Sequence, residues 1–184
     1  PLDTLDHHAV TRAANVSGEW AGRVITAYRP DPVVDPEFGD FYVSLARFSD
    51  LSGEDAYSYA GYLAAHRGRR AFFASMGATS TDHGHPTAAT ADLSKTEAES
   101  LFARVTRGEV SAADAERFRA HMLTMMAGMS LDDGLVMQIH PGSFRNHNPQ
   151  LFRDYGRDKG ADIPTATDYV QALRPLLGKL GNER

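Results

Sequence analysis

Apolar positions recur along this chain in two ways, at three- and four-residue spacing and in short continuous runs. The first pattern predicts helices and the second predicts buried strands. A first helix is expected from Leu2 to Ala14, with an Asp-rich start that suits the positive end of a helix dipole. After a turn at Ser17-Gly18, Arg23 to Tyr28 reads as a strand that stops at Arg29-Pro30-Asp31, because proline removes a ladder donor. Residues 30–40 are rich in Pro and Asp and read as a loop, and a short helix is expected over 41–50. Glu54 to Met76 predicts a long helix with Tyr59, Tyr62, Leu63, Phe73 and Met76 on its apolar face, ended by Gly77. Ala78 to Thr81 reads as a short strand leading into Asp82-His83-Gly84-His85-Pro86. Ser94-Lys95-Thr96-Glu97 is a capping box that opens a helix to Arg107, and Gly108 ends it. Ser111 to Asp114 caps another helix, running to about Ser130. Leu135 to Ile139 is a strand ending at His140-Pro141-Gly142, and Asp168 to Leu180 is a last helix capped by Thr165 or Thr167. Helices alternating with short apolar strands predict an α/β fold with parallel strands and additional helices.

The three expected strands each end in a polar cluster, where α/β folds assemble their functional groups. His140 to Asn148 sets an imidazole, a guanidinium and carboxamides within nine residues. Imidazole moves protons near neutral pH, and the guanidinium of Arg145 presents a planar fork to carboxylates. A turn-capping loop with a structural Arg145 ion pair is the competing reading. Arg29, mounted by Pro30, could aim a cation into the site or sit exposed as a structural residue; its local sequence leaves both open. His83 and His85 share a face if extended and could bind a metal together. Gly84 and Pro86 favour a turn, however, and the sequence offers no evident third ligand, so no metal site is assigned. Asp82 and His83 remain site candidates.

Other features read as structure. Phe118, Met122, Met125, Met126 and Met129 follow helical spacing and belong to a core. His66 lies on an apolar face as a hydrogen-bonded core residue. Arg67, Arg69 and Arg70 read as a solvated helix face. His7-His8 is open between exposed and packed. Ser17, Ser75 and Ser143 lack a nucleophile elbow, which argues against a serine hydrolase.

Composition narrows the classes further. Of 184 residues, 42% are hydrophobic and 23% charged, as in an ordinary globular domain. Nineteen Lys+Arg against twenty-four Asp+Glu give a net charge of −5, which argues against a nucleic-acid or polybasic membrane partner. No cysteine is present, so disulfides and thiolate chemistry are out, and a cytoplasmic protein fits. No apolar run approaches the roughly 18 residues that span a bilayer.

At these clusters the chain resembles the uronate isomerases, also called glucuronate isomerases, of the amidohydrolase superfamily. Pro1 to His8 is similar to that family's Asp-Pro segment and His-His helix, and Tyr28-Arg29-Pro30-Asp31 to its aromatic-Arg-Pro-Asp motif. Asp82-His83 resembles its Asp-His pair. Gln138-Ile139-His140-Pro141-Gly142-Ser143-Phe144-Arg145-Asn146-His147-Asn148 resembles its Gln-x-His-Ile-Gly-Ala-x-Arg-Asn-Asn-Asn pattern. Pro141, Ser143 and His147 depart from it and mark a divergent branch.

The resemblance implies a (β/α)8 TIM-type barrel, of which residues 1–184 would be the central portion of a single domain, with the N-terminal and C-terminal strands absent. It implies interconversion of glucuronate with fructuronate, or galacturonate with tagaturonate. It implies His140 as catalytic group and Arg29, Asp82, His83 and Arg145 as substrate-binding groups. Zn2+, where used, would take its ligands from outside this chain, and the isolated fragment would be inactive. The expected partner is a small-molecule uronate, with homo-oligomerisation open. Hydrolysis or decarboxylation on the same barrel, and a fragment with only a binding or scaffold role, are the alternatives.

Overall fold

A computed structural model describes Leu5, Asp6, Ala21, Gly22 and residues 24–183. Apart from Leu5 and Asp6, the expected helix over 2–14, with its His7-His8 pair, lies outside the described residues, as does Arg23. The elements are α1 (Asp31–Val34), α2 (Phe41–Ser52), α3 (Tyr59–Ser75), β1 (Ser80–His83), α4 (Lys95–Arg107), α5 (Ala112–Asp133), β2 (Val136–Ile139), β3 (Ser143–Phe144), α6 (Pro149–Tyr155), β4 (Ile163–Pro164) and α7 (Tyr169–Leu180). The α/β class with parallel strands holds: β1 pairs in parallel with β2, and Asp82 lies opposite Gln138 in the register.

The helix ends follow their caps. Ser94 and Glu97 exchange side-chain and backbone hydrogen bonds at the start of α4, and Ser111 and Asp114 do the same for α5. Gly108 and Gly134, at φ 73° and 75°, take the left-handed turn that closes those two helices. Asp168 caps α7 with its own carboxylate, accepting from the Val170 and Gln171 N–H groups. The expected Thr165 or Thr167 cap is therefore displaced; a carboxylate one position before the helix also favours the dipole.

Several expectations shift. Among the described residues 24–28, the expected strand reduces to a single parallel bridge between Tyr28 and Thr81. Residues 30–40 are not all loop, because Pro32 in the first turn of α1 supplies the helical φ without sacrificing a needed donor. The long helix begins at Tyr59, where the Ser58 hydroxyl accepts from Gly61 N. Met76 is exposed rather than on the apolar face. The strand expected over 78–81 runs over Ser80–His83, so Asp82 and His83 lie within it. Helix α6 and the β3–β4 hairpin were not foreseen; both are short and exposed, so no apolar period announces them.

The core lies between the sheet and α2–α5. Tyr28, Phe48, Tyr62, Phe73, Phe102, Phe118, Met122 and Met126 are fully buried, and Met129 and partly buried Met125 pack with them. Tyr62 and Phe102 stack with centroids 4.6 Å apart. His66 sits inside as expected, its Nδ1 2.8 Å from the Tyr28 hydroxyl, and burial pushes its pKa well below the ordinary imidazole value. Arg69 and Arg70 overturn the solvated-face reading, which survives only for Arg67. Arg70 is buried and forks onto Asp133 at 2.6 and 2.8 Å, while Arg69 donates to the Leu5 carbonyl at 2.8 Å and lies over the Phe72 ring. Three arginines within four helical residues span more than one face, so they part.

Candidate functional site

The site forms where three parallel segments end side by side. Tyr28 donates to Ser80 O and accepts from Asp82 N, which sets the next residue, Arg29, beside the end of β1. His140 N donates to His83 O at 3.1 Å and continues the β1–β2 ladder one step past β2. Arg29, Asp82 and His140 come together in consequence. Asp82 Oδ1 lies 2.5 Å from His140 Nε2, and Asp82 Oδ2 lies 3.5 Å from an Arg29 guanidinium nitrogen.

Asp31 completes the clamp. Its Oδ2 accepts from Arg29 Nε at 2.8 Å, and both its oxygens lie 3.2 Å from Gly84 N. Burial works against the Arg29 charge, but Asp31, Asp82 and Asp158 outweigh it and hold the guanidinium pKa above its usual value. Gly84 leaves room for these side chains where they meet. A Cβ would stand 3.0 Å from both Asp31 Oδ2 and His140 Cε1, and would clash with the Arg29 guanidinium.

Above these groups opens a cavity of about 300 Å³, lined among others by Arg29, His140, Arg145, Phe144, Phe38 and Arg157. Arg145 projects from the β3–β4 hairpin and lies 3.5 Å from Asp158 and 3.9 Å from Asp162. The neighbouring carboxamides support the loop: Asn146 Oδ1 accepts from Asp158 N, and Asn148 caps α6. Arg157 rests on the Phe38 ring, 3.9 Å from its centroid, and makes no ion pair with any described residue. A guanidinium with its face on an aromatic ring and no carboxylate partner is free to take an anion.

Three of the five expected residues, Arg29, His140 and Arg145, thus line one space, and Asp82 contacts two of them from outside that lining. His83 does not line it. Its ring is buried beneath β1, with Nε2 2.9 Å from Thr81 Oγ1. His85, also buried, lies 3.6 Å from Asp31 Oδ1. Burial lowers the pKa of both histidines, so both are neutral at pH 7. With Asp31 they form a set whose ligand atoms lie within 4.8 Å of one another and could hold a metal ion. The sequence offered two imidazoles here; the fold adds a carboxylate from fifty residues upstream. Asp31 belongs to a motif already singled out, whereas nothing in the sequence around Arg157 points to the cavity.

The chemistry available is cations that can take a carboxylate, and an imidazole paired with a carboxylate for proton exchange. Among the described residues no helix is long and apolar enough to cross a membrane.

Comparison with known proteins bears on this geometry. A family model described as UxaC, glucuronate isomerase, matches residues 1–184. The chain is 83% identical over all of its length to a uronate isomerase of Sphingopyxis alaskensis and covers 39% of that protein. It is 69% identical to a uronate isomerase of Rhizorhabdus wittichii and covers 38% of it. A crystal structure of glucuronate isomerase from Caulobacter crescentus superposes with a TM-score of 0.89 at 58% identity, over 98% of this chain and 37% of that one. Uronate isomerase from Thermotoga maritima shares the fold, with a TM-score of 0.85 at 23% identity, over 97% of this chain and 39% of that one. The chain spans about two fifths of the length of the curated relatives it matches.

Proposed function

Because the chain belongs to the glucuronate isomerase family, we propose that it is the central portion of a (β/α)8 barrel whose complete protein interconverts glucuronate with fructuronate, and galacturonate with tagaturonate. The barrel reading is supported by the parallel β1–β2 pair, the Tyr28 bridge that adds a third parallel segment, and the helices between them. The observation that carries the function is the Asp82-centred contact of Arg29 with His140 at the carboxyl ends of those segments.

In such an isomerisation a proton leaves C2 of the open-chain aldose while O1 gains one, giving an enediol. O2 then loses its proton as C1 is protonated. Arg29 would fork onto the substrate carboxylate and fix the sugar's direction across the cavity, and orientation is a large part of the barrier. With Nε2 held 2.5 Å from Asp82 Oδ1, His140 would exchange a proton with O1 or O2 through Nδ1. Arg145 would brace the rim through Asp158 and Asp162 or meet a substrate oxygen. His83, expected to bind substrate, would act from below through the backbone ladder it shares with His140. Zn2+ held in the complete enzyme by ligands outside this chain would polarise the sugar oxygens.

The test is an assay of the full-length protein on glucuronate and galacturonate, with His140→Asn beside it. Ketouronate formation that falls at least about tenfold in the variant, with folding intact, is the expected result. A full-length protein that hydrolyses or decarboxylates its substrate, or that turns over neither uronate, would sink the reading.

A further inference from the structure

Beside the cavity Asp31, His83 and His85 come together, and the proposed isomerase chemistry gives His85 no part. His83 Nδ1 and both ring nitrogens of His85 are buried without a hydrogen-bond partner. A buried polar atom left unmet costs about 1–3 kcal/mol, and one cation beside Asp31 could meet two of the three, His83 Nδ1 and His85 Nε2.

The arrangement fits three ligand atoms that share one centre. His85 Nε2 and Asp31 Oδ1 stand 3.6 Å apart, too far for a hydrogen bond. That gap is close to the roughly 3.4 Å between two tetrahedral ligands about 2.0–2.1 Å from one ion. The Thr81 hydroxyl occupies His83 Nε2 at 2.9 Å, which leaves Nδ1 as that ring's ligand atom. An outer hydrogen bond of this kind orients metal-bound imidazoles. The two rings are nearly perpendicular, at 87°, with centroids 5.9 Å apart. Asp31 gives Oδ2 to Arg29 and keeps Oδ1 towards His85. In the field at His85, the carboxylates of Asp31, Asp35 and Glu116 oppose a single guanidinium, Arg119, and so favour a cation.

We infer that Asp31, His83 and His85 form a buried structural site for a divalent transition-metal ion of the zinc class. Two imidazoles and one carboxylate suit zinc or cobalt rather than magnesium or calcium, and water would complete the tetrahedron. The ion would tie the end of β1 to α1 and hold Asp31 where it meets Arg29. It is separate from the zinc of the proposed reaction, whose ligands lie elsewhere, and it does not depend on that reading.

The full-length protein, stripped with a chelator, is titrated with Zn2+ and with Co2+, and bound metal is counted. The wild type should take up one equivalent more than His85→Ala, and the extra Co2+ should show the visible bands of a tetrahedral site. His85→Gln, nearly the same size, carries the comparison if the alanine variant unfolds. Zn2+ should raise the unfolding midpoint of the wild type more than that of the glutamine variant. Equal metal counts in wild type and variants would overturn the site and leave the free nitrogens to ordered water. Failure of the isomerase reading would show separately, as absent turnover in a protein that still binds the extra equivalent.

Discussion

Arginines do two different jobs in this molecule, and their partners tell the jobs apart. At the helical seam, Arg69, Arg70 and Arg119 have side chains only 8%, 1% and 6% exposed. Arg70 joins α3 to Asp133 at the end of α5, and Arg119 gathers Asp35, Glu37 and Glu116 at 2.6, 2.7 and 2.9 Å. At the cavity, Arg29 and Arg145 are 36% and 42% exposed, and Arg157 has only an aromatic ring beneath it. A buried guanidinium with its acceptors in place holds elements together. One that keeps part of its donor fork towards a cavity retains the capacity to bind. Histidines divide the same way: His66, His83 and His85 are sealed in, and His140 is 42% exposed.

The sharpest way to break this contrast is Arg70→Met. It should destabilise the fold towards the lower end of about 3–5 kcal/mol, since partly exposed Asp133 can rehydrate once its partner is gone. A urea unfolding midpoint unchanged from wild type would erase the distinction. Arg29→Met should leave the midpoint nearly in place and raise KM for uronates about 10–100-fold, as expected for a charged hydrogen bond worth about 1.5–3 kcal/mol. Equal KM would move Arg29 to the structural side.

The sealed histidines make a pH prediction. Burial lowers their folded-state pKa values, so below about pH 6.5 the unfolded chain takes up protons that the folded one refuses. Stability should be full above pH 7 and fall as pH drops through that value, by up to about 1.4 kcal/mol per histidine per pH unit. Unfolding midpoints at pH 7.5 and 5.5, in chelator, would show it; a flat profile would mean these rings are hydrated. The smallest effect belongs to Arg157→Gln. An exposed ion pair is worth about 1 kcal/mol or less, so KM should rise no more than about fivefold and kcat should hold. A change in kcat instead would place Arg157 in the chemistry.

Local signals carried most of what was legible in the sequence. The boxes at Ser94–Glu97 and Ser111–Asp114 marked two helix starts to the residue, because a cap is decided by its own four positions. The apolar periods of α3 and α5 located the core, and the polar runs after two strands located Asp82 and His140. Long-range pairing was hidden. Nothing near Arg70 announces Asp133, sixty-three residues away, and nothing near His85 announces Asp31. Arg145 and Arg157 meet the same cavity only through an exposed hairpin and loop that have no apolar pattern to read.

Gly84 makes the two halves of the site interdependent through an atom that is not there. Any larger residue would act as a wedge between the guanidinium and the imidazole, while its backbone N–H is what pins Asp31. One hydrogen atom in place of a methyl group therefore sets the spacing of three charged or titratable groups, none of which belongs to that residue. A larger residue there would have to displace the Arg29 guanidinium from Asp31 and Asp82.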